Sequence, residues 1–253
     1  MRSYIKKHNY WGEGQDSKIA WIERCRNAKQ SKKLKKLGWL DKDSKDKPFI
    51  NIEYSYNKYF FRSIEFEEPH DAIAVFGCSF TEGEGLPAKD RWGDVLAKKL
   101  NLKCYNFGEG GKGMNAVYNN ISEWIPKLKP KAVFVFASFP FRHDIFINST
   151  ERTLNYNITN ESLDCSKGVA NTLNEFYRVC WSKDERNYQQ EYKKNKEAIK
   201  YICLNLDIPC VIISCEDYFL NDPIQPYARD LQHPGVEQNI RIAQAMLEEY
   251  KNA

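Results

Sequence analysis

The stretch Ala72-Ile73-Ala74-Val75-Phe76-Gly77-Cys78-Ser79-Phe80-Thr81-Glu82-Gly83 decides how this chain is read. Ala72 to Phe76 is an uninterrupted apolar run of strand length. Without polar alternation, it predicts a strand buried on both faces. Gly77 then breaks the run and a small polar turn follows. Three similar runs recur at Lys103–Phe107, Ala132–Ala137 and Cys210–Ser214. Between and after them, apolar residues fall at helical spacing. Trp92, Val95, Leu96 and Leu100 mark a helix over 91–100, and Val117, Ile121, Trp124 and Ile125 one over 115–125. Further helices are expected over 171–181 and 191–206, and a last one over 235–249 with Ile240, Ala243, Met246 and Leu247 inward. Residues 145–170 read as irregular. Short apolar strands alternating with amphipathic helices predict a mainly parallel sheet covered on both faces, a flavodoxin-like three-layer α/β/α sandwich. Sites in such sheets lie beyond the carboxyl ends of the strands. Ser79, Gly108, Ser138 and Glu216 each follow a strand and are expected along that edge.

The remaining sequence divides at about residue 70. Residues 71–253 hold the α/β pattern, and residues 1–70 read as an N-terminal extension. Residues 17–37 predict a helix closed by Gly38, and Asp41 to Pro48 a polar linker. Residues 49–54 and 59–67, rich in β-branched and aromatic side chains, predict a hairpin or a pair of flanking strands around Tyr56-Asn57-Lys58. The extension is basic. Residues 1–47 hold fourteen Lys and Arg against six Asp and Glu, whereas the rest of the chain is net acidic. Lys32-Lys33-Leu34-Lys35-Lys36 reads first as a solvated helix face. A polyanion-binding arm is the rival reading, but no nucleic-acid module accompanies it.

The eight cysteines form no CxxC pair and several fall inside expected strands or helices, so they read as reduced thiols of a cytoplasmic protein. With four histidines and that spacing, no metal site is expected. No apolar stretch reaches the ~18 residues of a membrane span, and the first residues lack the apolar core of a signal peptide.

Two motifs carry chemistry. Gly77-Cys78-Ser79 puts a serine on a strand-to-loop turn. Asp230-Leu231-Gln232-His233-Pro234 supplies an imidazole and a carboxylate three residues before it. An attacking hydroxyl, a base to take its proton and an acid to orient the base are the parts of a nucleophilic hydrolase. Pro234 disfavours a helical His233 and suits the first turn of the helix that follows. In the order Ser79, Asp230, His233 these parts suit a serine hydrolase on an α/β sheet. Asn106-Phe107-Gly108-Glu109-Gly110-Gly111, after the second strand, adds a glycine-rich turn with exposed backbone N–H groups.

On these blocks, over residues 72–250, the chain resembles the SGNH (GDSL-like) hydrolases. Gly77-Cys78-Ser79 stands where that family has Gly-Asp-Ser. Asn106 to Gly111 matches its Asn-x-Gly-x-x-Gly, and Asp230 to His233 its Asp-x-x-His. The third block departs: Ala137-Ser138-Phe139-Pro140-Phe141-Arg142 has neither the glycine nor the asparagine of the family's Gly-x-Asn-Asp. The resemblance implies Ser79 as nucleophile, His233 as base, Asp230 as its orienting acid, and the N–H groups of Ser79 and Gly111 as an oxyanion hole. Ser138 is a candidate substitute for the missing donor. The acidic turn Glu82-Gly83-Glu84, through Glu82, and Arg142 are candidates for substrate contact. The implied reaction is hydrolysis of a short O-acyl ester, O-acetyl carbohydrate among the candidates, with no metal or organic cofactor. Losing one oxyanion donor can cost ~10²–10³ in rate, so a binding protein on the same fold remains the alternative. His143-Asp144 reads as a surface pair. Oligomeric state is not legible.

Overall fold

The computed structural model describes residues 28–39, 52, 54–67, 71–147, 150–154, 167–181 and 184–252. Its centre is a sheet of four parallel strands: β1 (Ala72–Gly77), β2 (Lys103–Gly108), β3 (Ala132–Ala137) and, late in the chain, a strand at Cys210–Ser214. Spatially, β2 lies outside β1, then β3, then the late strand. This is the flavodoxin-like order. The sheet changes direction of growth between β1 and β3, the place where such sheets open a crevice for ligands. The register levels the strand ends there, setting Gly77 beside both Gly108 and Phe136.

The apolar runs form strands because both faces are covered. Every residue of β1 and β3 is buried. Alternate side chains take opposite faces. Ala72, Ala74, Phe76, Val133 and Val135 meet α4 (Met114–Leu128) and α6 (Glu185–Asn205). Ile73, Val75, Phe134 and Phe136 meet α3 (Trp92–Leu100) and α8 (Val236–Asn252). Two short helices follow strands directly: α2 (Ser79–Glu82) after β1, and α7 (Cys215–Asn221) after the late strand, numbered β6. No helix among the described residues is long and apolar enough to cross a membrane.

Several expectations are corrected. The hairpin expected over residues 49–67 is absent from its described part: residues 54–67 contain a turn and no strand. Their backbone groups find local turn partners and side chains instead of a partner strand. Asn57 Oδ1 accepts hydrogen bonds from Tyr59 N at 3.0 Å and Phe61 N at 3.1 Å. The aromatic residues that suggested strands anchor the segment on the core, with Phe66 and Phe107 rings 4.3 Å apart and Phe61 and Phe107 rings 4.9 Å apart. A hairpin does form in the region read as irregular, where β4 (His143–Ile147) pairs antiparallel with β5 (Thr150–Leu154). Helix α5 (Lys167–Phe176) begins before the expected 171–181 and gives way to a π-turn at Tyr177–Trp181. Helix α6 starts earlier than expected because Asp184 caps it, accepting a hydrogen bond from Arg186 N at 3.1 Å.

Of the expected helix over 17–37, α1 (Ala28–Lys36) is described; the earlier residues and the linker over 41–48 lie outside the described residues. Leu34 and Trp39 are buried, while Lys32, Lys33 and Lys36 face outward. With Ile52, the two apolar side chains pack on Leu86 and Ala228. Trp39 Nε1 also donates to the Tyr227 carbonyl at 3.1 Å. The extension therefore braces the two loops that carry the candidate site. The five cysteines described at side-chain level (Cys78, Cys104, Cys203, Cys210, Cys215) are free thiols.

Candidate active site

The serine turn follows from Gly77. Its φ of +156° is costly for residues with a side chain, and a Cβ there would meet the Phe136 carbonyl oxygen at 2.6 Å. The chain turns immediately into α2, and Gly83, left-handed at φ 78°, closes that helix after one turn. Ser79 thus sits at the carboxyl edge of the central strand, 6 % exposed. Its hydroxyl makes no hydrogen bond among the described residues.

The glycine-rich turn after β2 is pressed against this helix. Asn106 Nδ2 donates to the Thr81 carbonyl at 2.8 Å, and Asn106 Oδ1 accepts from Gly108 N at 2.7 Å. Gly110 N donates to Glu82 Oε2 at 2.7 Å, and the Tyr56 hydroxyl reaches Glu82 Oε1 at 3.5 Å. Glu82, a candidate for substrate contact, is 2 % exposed and ties the serine turn to the glycine loop. Gly111, at φ 75°, follows at that loop's tip. A Cβ on Gly108 would come within 2.8 Å of Glu82 Cα. Gly108→Ala is therefore expected to destabilise the protein by about 1–3 kcal/mol, because backbone rather than a flexible side chain must move. Urea unfolding of the variant measures this, and an unchanged midpoint would show that the contact gives way freely.

Arg62 holds the other side of the serine turn. It is 2 % exposed and donates to the carbonyls of Gly83 at 2.6 Å, Glu82 at 3.3 Å and Leu86 at 2.7 Å. Its guanidinium lies 3.6 Å from the Tyr54 ring centre. No local motif announced this role, since the partners are backbone carbonyls far along the chain.

The histidine loop is equally constrained. Asn239, on α8, donates to the carbonyls of Pro234 at 2.9 Å and Gly235 at 3.0 Å. Its Oδ1 accepts from Trp92 N at 2.9 Å. Asp230, 2 % exposed, bends back on the loop. Its Oδ1 accepts from Gln232 N at 3.0 Å and His233 N at 3.1 Å, and its Oδ2 pairs closely with His233 Nδ1. Burial pushes the Asp230 carboxyl up, but the His233 hydrogen bond and charge, with the two N–H donors, outweigh it and hold the group below its ordinary range. Burial pushes the His233 imidazole down, yet Asp230, then Glu84 and Glu82, outweigh that and raise it. The Phe80 ring, next to Ser79, packs edge-on to the imidazole with centres 5.5 Å apart.

The structure thus brings Asp230 and His233 into direct contact and places them beside the serine turn. It puts no hydrogen bond between Ser79 and His233. His233 Nε2 instead faces Glu84 Oε2 at 3.4 Å. Asp230, Glu84 and His233 form the single group of possible metal-ligating side chains among the described residues. They fit an ion poorly, because the two carboxylates face different, diverging ring nitrogens and leave neither nitrogen over.

The third block lies at the end of β3. Ser138 is fully buried, and its Oγ has no hydrogen-bond partner among the described residues. Phe139 packs near Phe80, with ring centres 6.1 Å apart. Arg142 reaches the glycine loop, where its Nη1 donates to the Lys112 carbonyl at 3.3 Å. The adjacent His143-Asp144 is not the surface pair expected. Asp144 is 8 % exposed and caps α4, accepting from Gly113 N at 3.1 Å and Ala116 N at 3.0 Å. His143 Nδ1 lies 3.0 Å from Glu191 Oε2. A cavity of about 430 Å³ lies there, lined by Asn115, Tyr118, Asp144 and Glu191 among others, and not by Ser79 or His233.

No family model and no curated protein matches the chain. Among solved structures, it is similar to a lipolytic protein of the G-D-S-L family from Veillonella parvula: 17% identity over 70% of this chain and 96% of that one, TM-score 0.32. It is also similar to the psychrotrophic esterase EstA from a Pseudoalteromonas species, at 13% identity over 72% of this chain and 100% of that one, TM-score 0.35. A third is a lipase/acylhydrolase from Enterococcus faecalis, at 13% identity over 72% and 95%, TM-score 0.37.

Proposed function

We propose that the protein is a serine ester hydrolase of the SGNH type, with Ser79, His233 and Asp230 as its triad. The observation that supports this most is the buried Asp230 carboxylate on His233 Nδ1, beside a serine held at the end of the central strand. In that arrangement Asp230 fixes the tautomer that leaves Nε2 free to accept a proton and stabilises the imidazolium that results. Ser79 Oγ attacks the acyl carbon as its proton passes to Nε2, forming a tetrahedral oxyanion. The N–H groups of Ser79 and Gly111 are the proposed donors to that oxygen, with Ser138 Oγ as a third. The intermediate expels the alcohol, which takes the proton from Nε2, and leaves an acyl-enzyme. Water then attacks the acyl carbon, losing its proton to Nε2, and Ser79 departs with that proton. Every step balances without a metal or organic cofactor.

The proposed substrate is an O-acyl ester with a short acyl chain, an O-acetylated carbohydrate being one such class. The test needs no substrate. A fluorophosphonate probe is expected to label Ser79, read by peptide mass spectrometry, and the label is expected to vanish in His233→Ala. A folded protein that takes no label would point to the second reading, a non-catalytic acyl- or glycan-binding protein. That reading is favoured by the missing Ser79–His233 hydrogen bond and the absent third-block asparagine. The polyanion-binding role of residues 1–47 concerns a region mostly outside the described residues.

A further inference from the structure

We infer that Glu84 is a positioning residue for His233: its buried carboxyl shares a proton with Nε2 and governs when the imidazole is available as a base. The kinetic part of this inference rests on the hydrolase reading, whereas the proton sharing does not.

Glu84 is held in place by its backbone, whose N–H donates to the Ser79 carbonyl at 3.3 Å. Its side chain is 6 % exposed, and neither carboxylate oxygen has a hydrogen-bond partner among the described residues. Its polar neighbour is His233 Nε2, 3.4 Å from Oε2. A bare carboxylate in such a place is costly, and a proton or a cation relieves it. The groups facing the pair leave few ways to supply one. Asp230, from the histidine loop, and Glu82, from α2, are both acidic. Arg62, from the 54–67 segment, is committed to three backbone carbonyls, and Tyr56 is a phenol raised by burial and by Glu82. The imidazole is therefore the partner: with no direct hydrogen bond across the 3.4 Å gap, a proton on Nε2 serves both groups through its charge. Burial, reinforced by Glu82 and Asp230 and opposed by His233 and, less strongly, by the charge of Arg62, pushes the Glu84 carboxyl up to about 8. Both members of the pair shift upward, so the shared proton persists as pH rises through neutrality.

While that proton is present, Nε2 cannot accept the one on Ser79. The pair thus delays the ascending limb of the pH–rate profile, and an isosteric amide in place of the carboxyl is expected to move it earlier. The experiment follows the Cε1–H resonance of His233 by NMR across pH in the full chain, wild type and Glu84→Gln, with His233→Asn to assign the signal. In the wild type, His233 is expected to titrate above the ordinary ~6.5. In Glu84→Gln it is expected to titrate about one unit lower, the low end of what one neighbouring charge does. The pH–rate limb for hydrolysis of a p-nitrophenyl acetate probe is expected to move with it. A wild-type His233 that titrates at or below the ordinary value overturns the inference without any variant, as does an equal titration in both proteins. A shifted titration with no hydrolysis by either protein upholds the proton sharing and removes the hydrolase reading instead.

Discussion

Ser79→Ala is expected to abolish ester hydrolysis, with kcat/KM falling at least about 10⁴-fold, while the thermal melting point stays within a few degrees. The two halves of this expectation have separate causes. Triad members act as a unit, so losing the nucleophile removes the covalent route, and only binding and the oxyanion donors remain. The fold should tolerate the change because the Ser79 hydroxyl makes no hydrogen bond among the described residues. What shapes the turn is backbone: Gly77 with its positive φ, Gly83 closing α2, and Gly83 N donating to the Ser79 carbonyl at 2.9 Å. Alanine at the first position of a helix disturbs none of these. Steady-state hydrolysis of a p-nitrophenyl ester with a parallel melting curve measures both. Retained activity would show that another group, or contaminating enzyme, carries the reaction.

The sheet was legible because buried parallel strands leave an unmistakable imprint. Ala72–Phe76, Ala132–Ala137 and Cys210–Ser214 are apolar without alternation, and each forms a strand of the central sheet. The helices α3, α4 and α8 followed from their apolar spacing for the same reason, since each buries one stripe against the sheet; in α8, however, Ile242 joins Ala243, Met246 and Leu247 in that stripe, and Ile240, expected inward, is exposed. Segment 54–67 misled because its aromatics serve a different purpose. Phe61 and Phe66 are anchors that pin irregular chain to the core, and aromatic content alone does not separate an anchor from a strand residue. The hairpin at His143–Leu154 was hidden in the opposite way. Apart from Ile145-Phe146-Ile147 its sequence is largely polar, and no two-residue glycine turn separates the strands, so it carried little hairpin signal.

The contacts of the site were most legible where its members are close in sequence. Asp230 and His233 lie within one turn, and a three-residue offset suffices to predict their contact. Arg62, Asn106 and Glu84 act on residues distant in the chain, through backbone carbonyls, a neighbouring loop and an imidazole respectively. Their roles depend on which strands lie side by side. Glu84 was within view as part of an acidic turn after the serine, but which of the two acids meets the histidine is decided by the direction in which α2 ends. Glu82 points back to Gly110, and Glu84 points on to His233.

Asp230→Asn is expected to lower kcat/KM by about 10⁴-fold while leaving the chain folded. The size of the effect follows from one hydrogen atom. The Asp230 carboxylate only accepts, so it holds a proton on His233 Nδ1 and leaves Nε2 as the base. An asparagine that turns its NH₂ toward Nδ1 reverses this: the ring proton moves to Nε2, which then cannot accept the proton of Ser79. The asparagine oxygen meanwhile remains able to accept from Gln232 N and His233 N, which keeps the loop in shape. The stability change carries its own signature. The Asp230 carboxyl is depressed in the folded state, so its contribution is fully present above the ordinary carboxylate value of about 3.9 and is lost as pH falls through its folded value. His233 is raised in the folded state; its contribution is fully present below about 6.5 and is lost as pH rises through its folded value. The pair therefore stabilises most between those limits. Urea unfolding should show the largest gap between wild type and variant near pH 5, narrowing in acid as Asp230 is protonated and narrowing again in alkali as His233 loses its charge. A loss of activity smaller than tenfold, or a stability gap that does not change with pH, would show that Asp230 caps the turn without orienting the base.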